Sequence, residues 1–309
     1  MLISVKPLTL PAPSLAPATW LLALDIGGTQ IRSALVSGAG VVQNRVCAPT
    51  PATDLLPEVI RCARASLAAP VVAVAVSAPG PLDRQRGVVA TSANLPDLAL
   101  AAPLTTEFGL PVVVERDTIV AALAEGTFGT ASGVPDFAYV TVSTGIGSAI
   151  VAEGRVLTGV SGNLGEIGHF PVDPAGPLCG CGNRGCLEAL ASGSGIAAAA
   201  GTPGSAREIA LRALRGDPSA EAVMSRARAA FAQGMVGLVN AYDPGLVVVG
   251  GSVARGQGDL YLEPARAAVA RHAYGPAARE TRILPSCLGD DVGLLGAVPL
   301  IALAGPDPA

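Results

Sequence analysis

The chain has 309 residues, half of them hydrophobic and 14% charged, with a net charge of −4. That is enough apolar material for one large core or two ordinary ones, and too little charge for a chain disordered throughout. The acidic balance and the lack of any basic block argue against nucleic acid as a partner.

The first 19 residues carry Pro7, Pro11, Pro13 and Pro17. These break any signal-peptide core, and residues 1–19 read as a flexible leader. No run of 18 apolar residues follows, so no membrane span and no membrane partner are expected. WLLALDIGGTQIRSALV (20–36) then runs apolar to Asp25, turns through Gly27, Gly28 and Thr29, and resumes with alternation. This predicts strand, glycine turn, strand. A second copy, AYVTVSTGIGSAIV (138–151), turns through Ser143, Thr144, Gly145 and Gly147, and the repeat suggests two related halves facing one another.

Between the copies, VVAVAVSAPGPL (71–82) reads as a buried strand ending in a Pro-Gly turn. PVVVERDTIVAALAEGTFG (111–129) reads as a strand, a polar break at Arg116 and Asp117, and a helix with Asp117 at its N-cap. The later part is mostly helical, through ASGSGIAAAA, REIALRALRG and AEAVMSRARAAFAQGMVGLVNAY. GLVVVGGSVARG (245–256) is a strand, a glycine turn and a helix, and DDVGLLGAVPLIALAG (290–305) is one apolar helix with Pro299 near its middle. The domain boundary falls in GTFGTASGVPD, also a plausible hinge, giving a small α/β lobe over 20–128 and a larger one over 129–289.

The densest chemistry lies in HFPVDPAGPLCGCGNRGCLE, which begins at His169 and holds three of the six cysteines, Cys179, Cys181 and Cys186. One nitrogen and three sulfur ligands form a zinc set, and Gly180, Gly182 and Gly185 permit the tight turns it needs. A closed four-ligand site leaves no position for water, so the zinc would be structural. Its loop carries Glu166 just before it and Glu188 just after it. Clustered cysteines, with no disulfide framework, point to a reducing cytoplasm. Cys47, Cys62 and Cys287 are read as ordinary buried residues and His272 as structural or surface.

The two glycine turns expose backbone N–H groups in nests suited to phosphate. Neither G-x-x-x-x-G-K-[ST] nor G-x-G-x-x-G after the first strand is present, which excludes a P-loop and disfavours a dinucleotide site. Asp25 ends the first strand, where a carboxylate can hold Mg²⁺ through water.

Together these motifs resemble the ROK family of sugar kinases. The residues that carry the resemblance are DIGGT (25–29), the PGP turn (79–81), Asp117 with Glu125 eight residues on, STGIG (143–147), GEIGH (165–169), CGCGNRGCLE (179–188) and VVVGGSVA (247–254). The resemblance runs from about residue 20 to the C-terminus. It implies an α/β, two-lobed, actin-like (ribonuclease H-like) ATPase fold. The zinc loop would lie in the larger lobe, the helix at 290–305 would return to the smaller, and the lobes would close over the sugar.

The resemblance further implies ATP- and Mg²⁺-dependent phosphorylation of the 6-hydroxyl of a hexose or amino sugar by a cytoplasmic homodimer. Asp117 matches the catalytic base. Gly80, Asn94, Arg116, Glu166, His169 and Glu188 fall in the sugar set, with His169 giving one ring nitrogen to zinc and the other to a sugar hydroxyl. Gly27, Gly28, Thr29, Thr144, Gly145 and Gly147 match phosphate-loop positions, and Gly250 and Gly251 the turn beside the adenosine.

Three positions depart from the family pattern. Arg116 and Ile119 stand where asparagine is usual, and Gln30 where lysine is. Arginine is a long, charged, donor-only residue and cannot copy an asparagine. Either it turns away into a salt bridge, or the preferred sugar is not plain glucose, with N-acylhexosamines and kanosamine as candidates. The family also contains sugar-responsive repressors, but these carry an N-terminal helix-turn-helix, and only a short proline-rich segment precedes the first hairpin here. A sugar-binding protein without catalysis is a further alternative, opposed by the presence of Asp25, Asp117 and both turns. Polyphosphate as donor would call for a basic channel, of which the composition gives no sign.

Overall fold

The computed structural model describes residues 8–12, 14–90, 98–201 and 204–305. They form two compact units. Unit 1 takes the chain up to Pro135, Glu153–Asn163 and the part from Asp290 onward, while unit 2 takes Asp136–Ala152 and Leu164–Gly289. The division after Pro135 falls at the end of the GTFGTASGVPD tract, beyond the lobe limit drawn at 128, and unit 1 also draws in a segment of eleven residues that no composition shift marks. Elements are numbered in chain order.

Unit 1 is built on β1 (Trp20–Ile26), β2 (Gln30–Ser37), β3 (Val42–Pro49), β4 (Val74–Ala78) and β8 (Val112–Arg116), in the order β3-β2-β1-β4-β8. β1 pairs antiparallel with β2 from Trp20↔Ser37 to Ile26↔Ile31, and parallel with β4, which pairs parallel with β8. Three short strands, β5 (Leu82–Asp83), β6 (Val88–Val89) and β7 (Leu98–Ala99), form a separate small sheet. Helix α1 (Leu55–Ser66) buries Leu55, Val59, Cys62, Ala63 and Ser66, a stripe at helical spacing, into the core that holds Leu22, Leu24, Leu35 and Val76. Helix α2 (Ala101–Phe108) precedes β8, and α3 (Asp117–Phe128) follows it. Every residue of α3 from Thr118 to Glu125 is buried, so this helix is the unit's inner pillar.

Three expectations change here. The N-cap of α3 is Arg116, still extended at φ −62°, ψ 138°, and Asp117 is the first helical residue. The reason is that β8 keeps pairing with β4 as far as Ala78↔Arg116. The apolar C-terminal segment is two helices, α10 (Val292–Leu295) and α11 (Ala297–Ala304), joined at Gly296. A Cβ at Gly296 would lie 2.2 Å from the Val120 carbonyl oxygen, so the chain must turn tightly against α3 there. Pro299 then falls in the first turn of α11, where its missing N–H costs nothing. Finally, residues 8–10 of the expected leader are built into the unit. Leu8 is buried, its carbonyl accepts the Val156 N–H at 2.8 Å, and Thr9 bridges Arg155 in β11 (Arg155–Leu157).

Unit 2 repeats the pairing pattern. β9 (Phe137–Val142) pairs antiparallel with β10 (Ile146–Ala152) and parallel with β12 (Leu246–Gly250), which pairs parallel with β13 (Arg282–Pro285). The hairpin read at 138–151 is therefore the counterpart of the one at 20–36. Helices α4 (Leu187–Ala191), α5 (Gly193–Ala199), α6 (Ala206–Leu214), α7 (Pro218–Tyr242), α8 (Ser252–Gln257) and α9 (Asp259–His272) complete the unit. Phe231 of α7 and Tyr261 of α9 meet with ring centroids 4.7 Å apart, and the Tyr261 hydroxyl donates to the Ala191 carbonyl at 2.6 Å. Cys62 is buried as expected, but Cys47, on β3, and Cys287 are exposed. His272 ends α9. No helix among the described residues is long and apolar enough to cross a membrane.

Candidate active site

In unit 1 the glycine turn is closed by the Gly27 N–H on the Gln30 carbonyl at 2.8 Å. Thr50 pins it from β3's end, its hydroxyl donating to the Gly27 carbonyl at 2.6 Å and its N–H to that of Thr29 at 3.0 Å. Asp25 lies between its two cross-strand neighbours, Ser77 on β4 and Arg32 on β2. The Ser77 hydroxyl donates to Oδ1 at 2.9 Å, and Arg32 Nη1 to Oδ2 at 3.2 Å. Burial pushes the Asp25 carboxyl above the usual range, against the pull of Arg32 and Ser77. An oxygen ligand that burial penalises when charged suits a nearby hard cation, so this residue fits Mg²⁺.

Asp117 follows β8 at the start of α3, and its Oδ1 accepts the Thr118 N–H at 2.7 Å. Before it lies a buried charge network absent from the sequence reading. Glu115, 1% exposed, receives Arg84 Nε at 2.6 Å and Arg84 Nη2 at 2.8 Å. It also accepts the Arg116 N–H at 2.7 Å. Arg116 is itself buried, and its Nη1 donates to the Gly162 carbonyl at 2.8 Å. The carboxylate thus holds the backbone next to Asp117, while the Arg116 side chain holds the loop at 159–163. Gly80, at φ +85°, turns the chain after β4 in a conformation that favours glycine. Asn94 lies outside the described residues.

In unit 2, His169, Cys179, Cys181 and Cys186 bring one ligand atom each within 4.8 Å of one another. Cys181 and Cys186 Sγ are 3.7 Å apart, as are Cys179 Sγ and His169 Nδ1. Tetrahedral zinc with Zn–S of ~2.3 Å sets its sulfurs about 3.8 Å apart, so the four residues fit the ion. The loop reaches this shape through short backbone bonds, Cys179 N–H to Asn183 O at 2.7 Å and Gly182 N–H to Cys179 O at 2.9 Å. The Asn183 backbone lowers the pKa of the Cys181 thiol, whereas burial raises that of Cys186, which a bound cation would offset.

Glu166 precedes and His169 ends a 3₁₀ turn, Ile167–His169, and the Ser148 hydroxyl fastens it to β10 by donating to Gly165 O at 2.6 Å. Since Nδ1 of His169 faces the sulfurs, Nε2 is the nitrogen left for another partner. Glu188 stands on α4 and meets the second glycine turn. Its Oε2 accepts the Ile146 N–H at 2.9 Å, and a Cβ on Gly145 would lie 2.5 Å from that oxygen. Gly250 and Gly251 line a cavity of about 110 Å³ with Ala254, Leu262, Pro285 and Ser286. A larger open groove of about 620 Å³, lined by Arg228, Leu260 and Glu263 among others, holds none of the expected site residues.

Sequence reasoning missed Arg32, Ser77, Arg84 and Glu115. The available signal was a polar residue inside an otherwise apolar strand, Ser77 in VAVSA and Glu115 in VVVER.

A family model described as the ROK family matches residues 21–303. An N-acetylmannosamine kinase of Shigella boydii serotype 18 is 38% identical over 287 residues, covering 89% of this chain and 96% of that protein. Among solved structures, a ROK hexokinase from Thermus thermophilus is 36% identical with a TM-score of 0.74, covering 91% of this chain and 97% of that one. A ROK family glucokinase from Streptomyces griseus, in complex with glucose and AMPPNP, is 29% identical with a TM-score of 0.78, covering 91% and 98%. With the ordered motifs, the repeated hairpin units and these matches over nearly its whole length, the chain belongs to the ROK family of sugar kinases, α/β proteins of actin-like ATPase fold.

Proposed function

We propose that this kinase transfers the γ-phosphoryl group of ATP to the 6-hydroxyl of an N-acylated hexosamine, N-acetylmannosamine foremost, with Asp117 as general base. The observation that carries the reading is the carboxylate of Asp117, at the first turn of α3 directly after β8, beside a buried arginine, in a chain 38% identical to an N-acetylmannosamine kinase. Phosphoryl transfer asks little covalent chemistry of the protein. It needs aligned reactants, charge neutralisation and one base near the attacking hydroxyl. Asp117 accepts the hydroxyl proton as the oxygen attacks.

Glu166, Glu188, Nε2 of His169, the Gly80 backbone and Asn94 bind the sugar. The turns at Gly27, Gly28 and Thr29 and at Thr144, Gly145 and Gly147 hold the phosphates, and Gly250 and Gly251 border the adenosine. Asp25 would be the residue to hold Mg²⁺, which when bound with ATP would supply charge neutralisation at the phosphates. His169, Cys179, Cys181 and Cys186 would hold zinc, which when bound would fix the orientation of the imidazole toward the sugar. Arg116, committed to Gly162 and next to the base, removes the amide that the family pattern offers a sugar hydroxyl. That departure supports a substrate other than plain glucose.

The test is ADP release across glucose, mannose, N-acetylglucosamine, N-acetylmannosamine, glucosamine and kanosamine, with the highest kcat/KM expected for N-acetylmannosamine. A preference for glucose would reverse the substrate assignment and keep the kinase. Asp117→Asn is expected to lower kcat by about 10²–10⁴ while sugar binding persists, and a near-normal rate would remove Asp117 as the base.

A further inference from the structure

Glu188 belongs to the proposed sugar set, yet its carboxylate also serves the second glycine turn. Its Oε2 takes the Ile146 N–H at 2.9 Å, and a Cβ at position 145 would push against that oxygen. The chain just beyond α4 adds three more bonds to the same turn. The Gly193 N–H donates to the Ser143 carbonyl at 2.7 Å. The Ser194 N–H and hydroxyl both donate to the Thr144 carbonyl, at 3.1 and 2.9 Å. Residues 188–194 therefore grip the turn at Ser143, Thr144 and Ile146, with Glu188 pressed on Gly145 between them. At its other end this strut starts from Cys186, the residue preceding α4 and a member of the Cys/His cluster, and the Leu187 N–H ties it to Phe170 O at 2.9 Å.

We infer that Glu188 is a coupling residue as well as a sugar ligand: its two carboxylate oxygens join the sugar to the phosphate-binding turn, so that each ligand strengthens binding of the other. The inference rests on the sugar-kinase reading above. A sugar hydroxyl on Oε1 fixes the carboxylate, and through Oε2 it fixes the Ile146 N–H and the turn it belongs to. Either ligand fixes the same carboxylate and the turn it holds, so the second binds to groups whose positions the first has already fixed. Such coupling is reciprocal by linkage.

The experiment is calorimetry on the full zinc-loaded chain with N-acetylmannosamine and Mg²⁺–AMPPNP, each alone and in the presence of the other. The native chain is expected to bind each ligand at least ~5-fold more tightly when the other is present. In Glu188→Gln the amide oxygen can keep the Ile146 N–H while its NH₂ replaces Oε1. Sugar affinity should then fall by about tenfold or more with AMPPNP affinity nearly unchanged. In Glu188→Ala both affinities should fall and the coupling factor should drop to about one. Ser194→Ala should weaken AMPPNP alone by a few-fold and leave sugar alone unaffected. Zinc content and thermal melts establish that each variant is folded.

Independent binding in the native chain, or native coupling retained in Glu188→Ala, overturns the inference. If no sugar binds while AMPPNP does, the substrate assignment fails. The strut is then judged by AMPPNP alone: weakening in Glu188→Ala and Ser194→Ala supports it, and unchanged affinity in both rejects it.

Discussion

Loss of Glu115 should cost this protein substantial stability outside its apolar core. One buried carboxylate, 1% exposed, satisfies three donors, two on Arg84 and the backbone N–H of Arg116. Glu115→Ala leaves a guanidinium and a buried N–H without this acceptor and opens a polar void. Breaking a buried ion pair from one side costs about 3–5 kcal/mol. Arg84 is 17% exposed and can regain some hydration, which favours the lower end of that range. For a unit of 150–250 residues, ~3 kcal/mol corresponds to a fall in Tm of about 6–12 °C. Glu115→Gln keeps one acceptor and loses the charge, and should fall by about half as much. The assay is scanning calorimetry of the ligand-free chain, in which Glu115→Ala should lower the transition assigned to unit 1. If Glu115→Ala melts within 2 °C of the native chain, a threshold of about 1 kcal/mol or less, the network is not a structural keystone and the reasoning fails.

Two further outcomes follow from the charged groups. The folded Asp25 carboxyl is held above its ordinary value of 3.8, chiefly by burial, so the folded state binds that proton more tightly than the unfolded chain does. The resulting stability is complete below the unfolded value and is lost as pH rises through the folded one. Near pH 7 the ionised carboxylate is thus a net cost. Asp25→Asn should raise Tm there, with the gain vanishing below about pH 4 and turnover lost at every pH. A lower Tm at pH 7 would mean that Arg32 and Ser77 outweigh burial. Cys181→Ser removes one of three thiolates from a fitted set. Metal analysis after dialysis should find zinc lost from the variant and retained by the native chain, and an unchanged zinc content would take Cys181 out of the site.

The sequence by itself determined the features that depend on residues close together in the chain. Both hairpins were legible because a glycine turn between alternating apolar runs has few other ways to fold. The Cys/His set was legible because all four ligands fall within eighteen residues whose glycines permit tight turns. The exchange of asparagine for Arg116 was visible at once, but what Arg116 does was not. Its partner at Gly162 lies 46 residues away, in a segment that only tertiary contacts assign to unit 1.

Other misses have the same origin. Asp25 between Ser77 and Arg32 follows from the register of three strands. The Arg84–Glu115 pair spans 31 residues, and Glu188 reaches Ile146 across 42. The split of the last helix at Gly296 follows from the Val120 carbonyl opposite it, and the exposure of Cys47 from the place of β3 at the sheet's edge. Local pattern declares which element forms and which chemistry it carries. Which buried charge meets which partner is decided only when strand register and helix packing bring distant residues into a medium that leaves no polar group unmatched without cost.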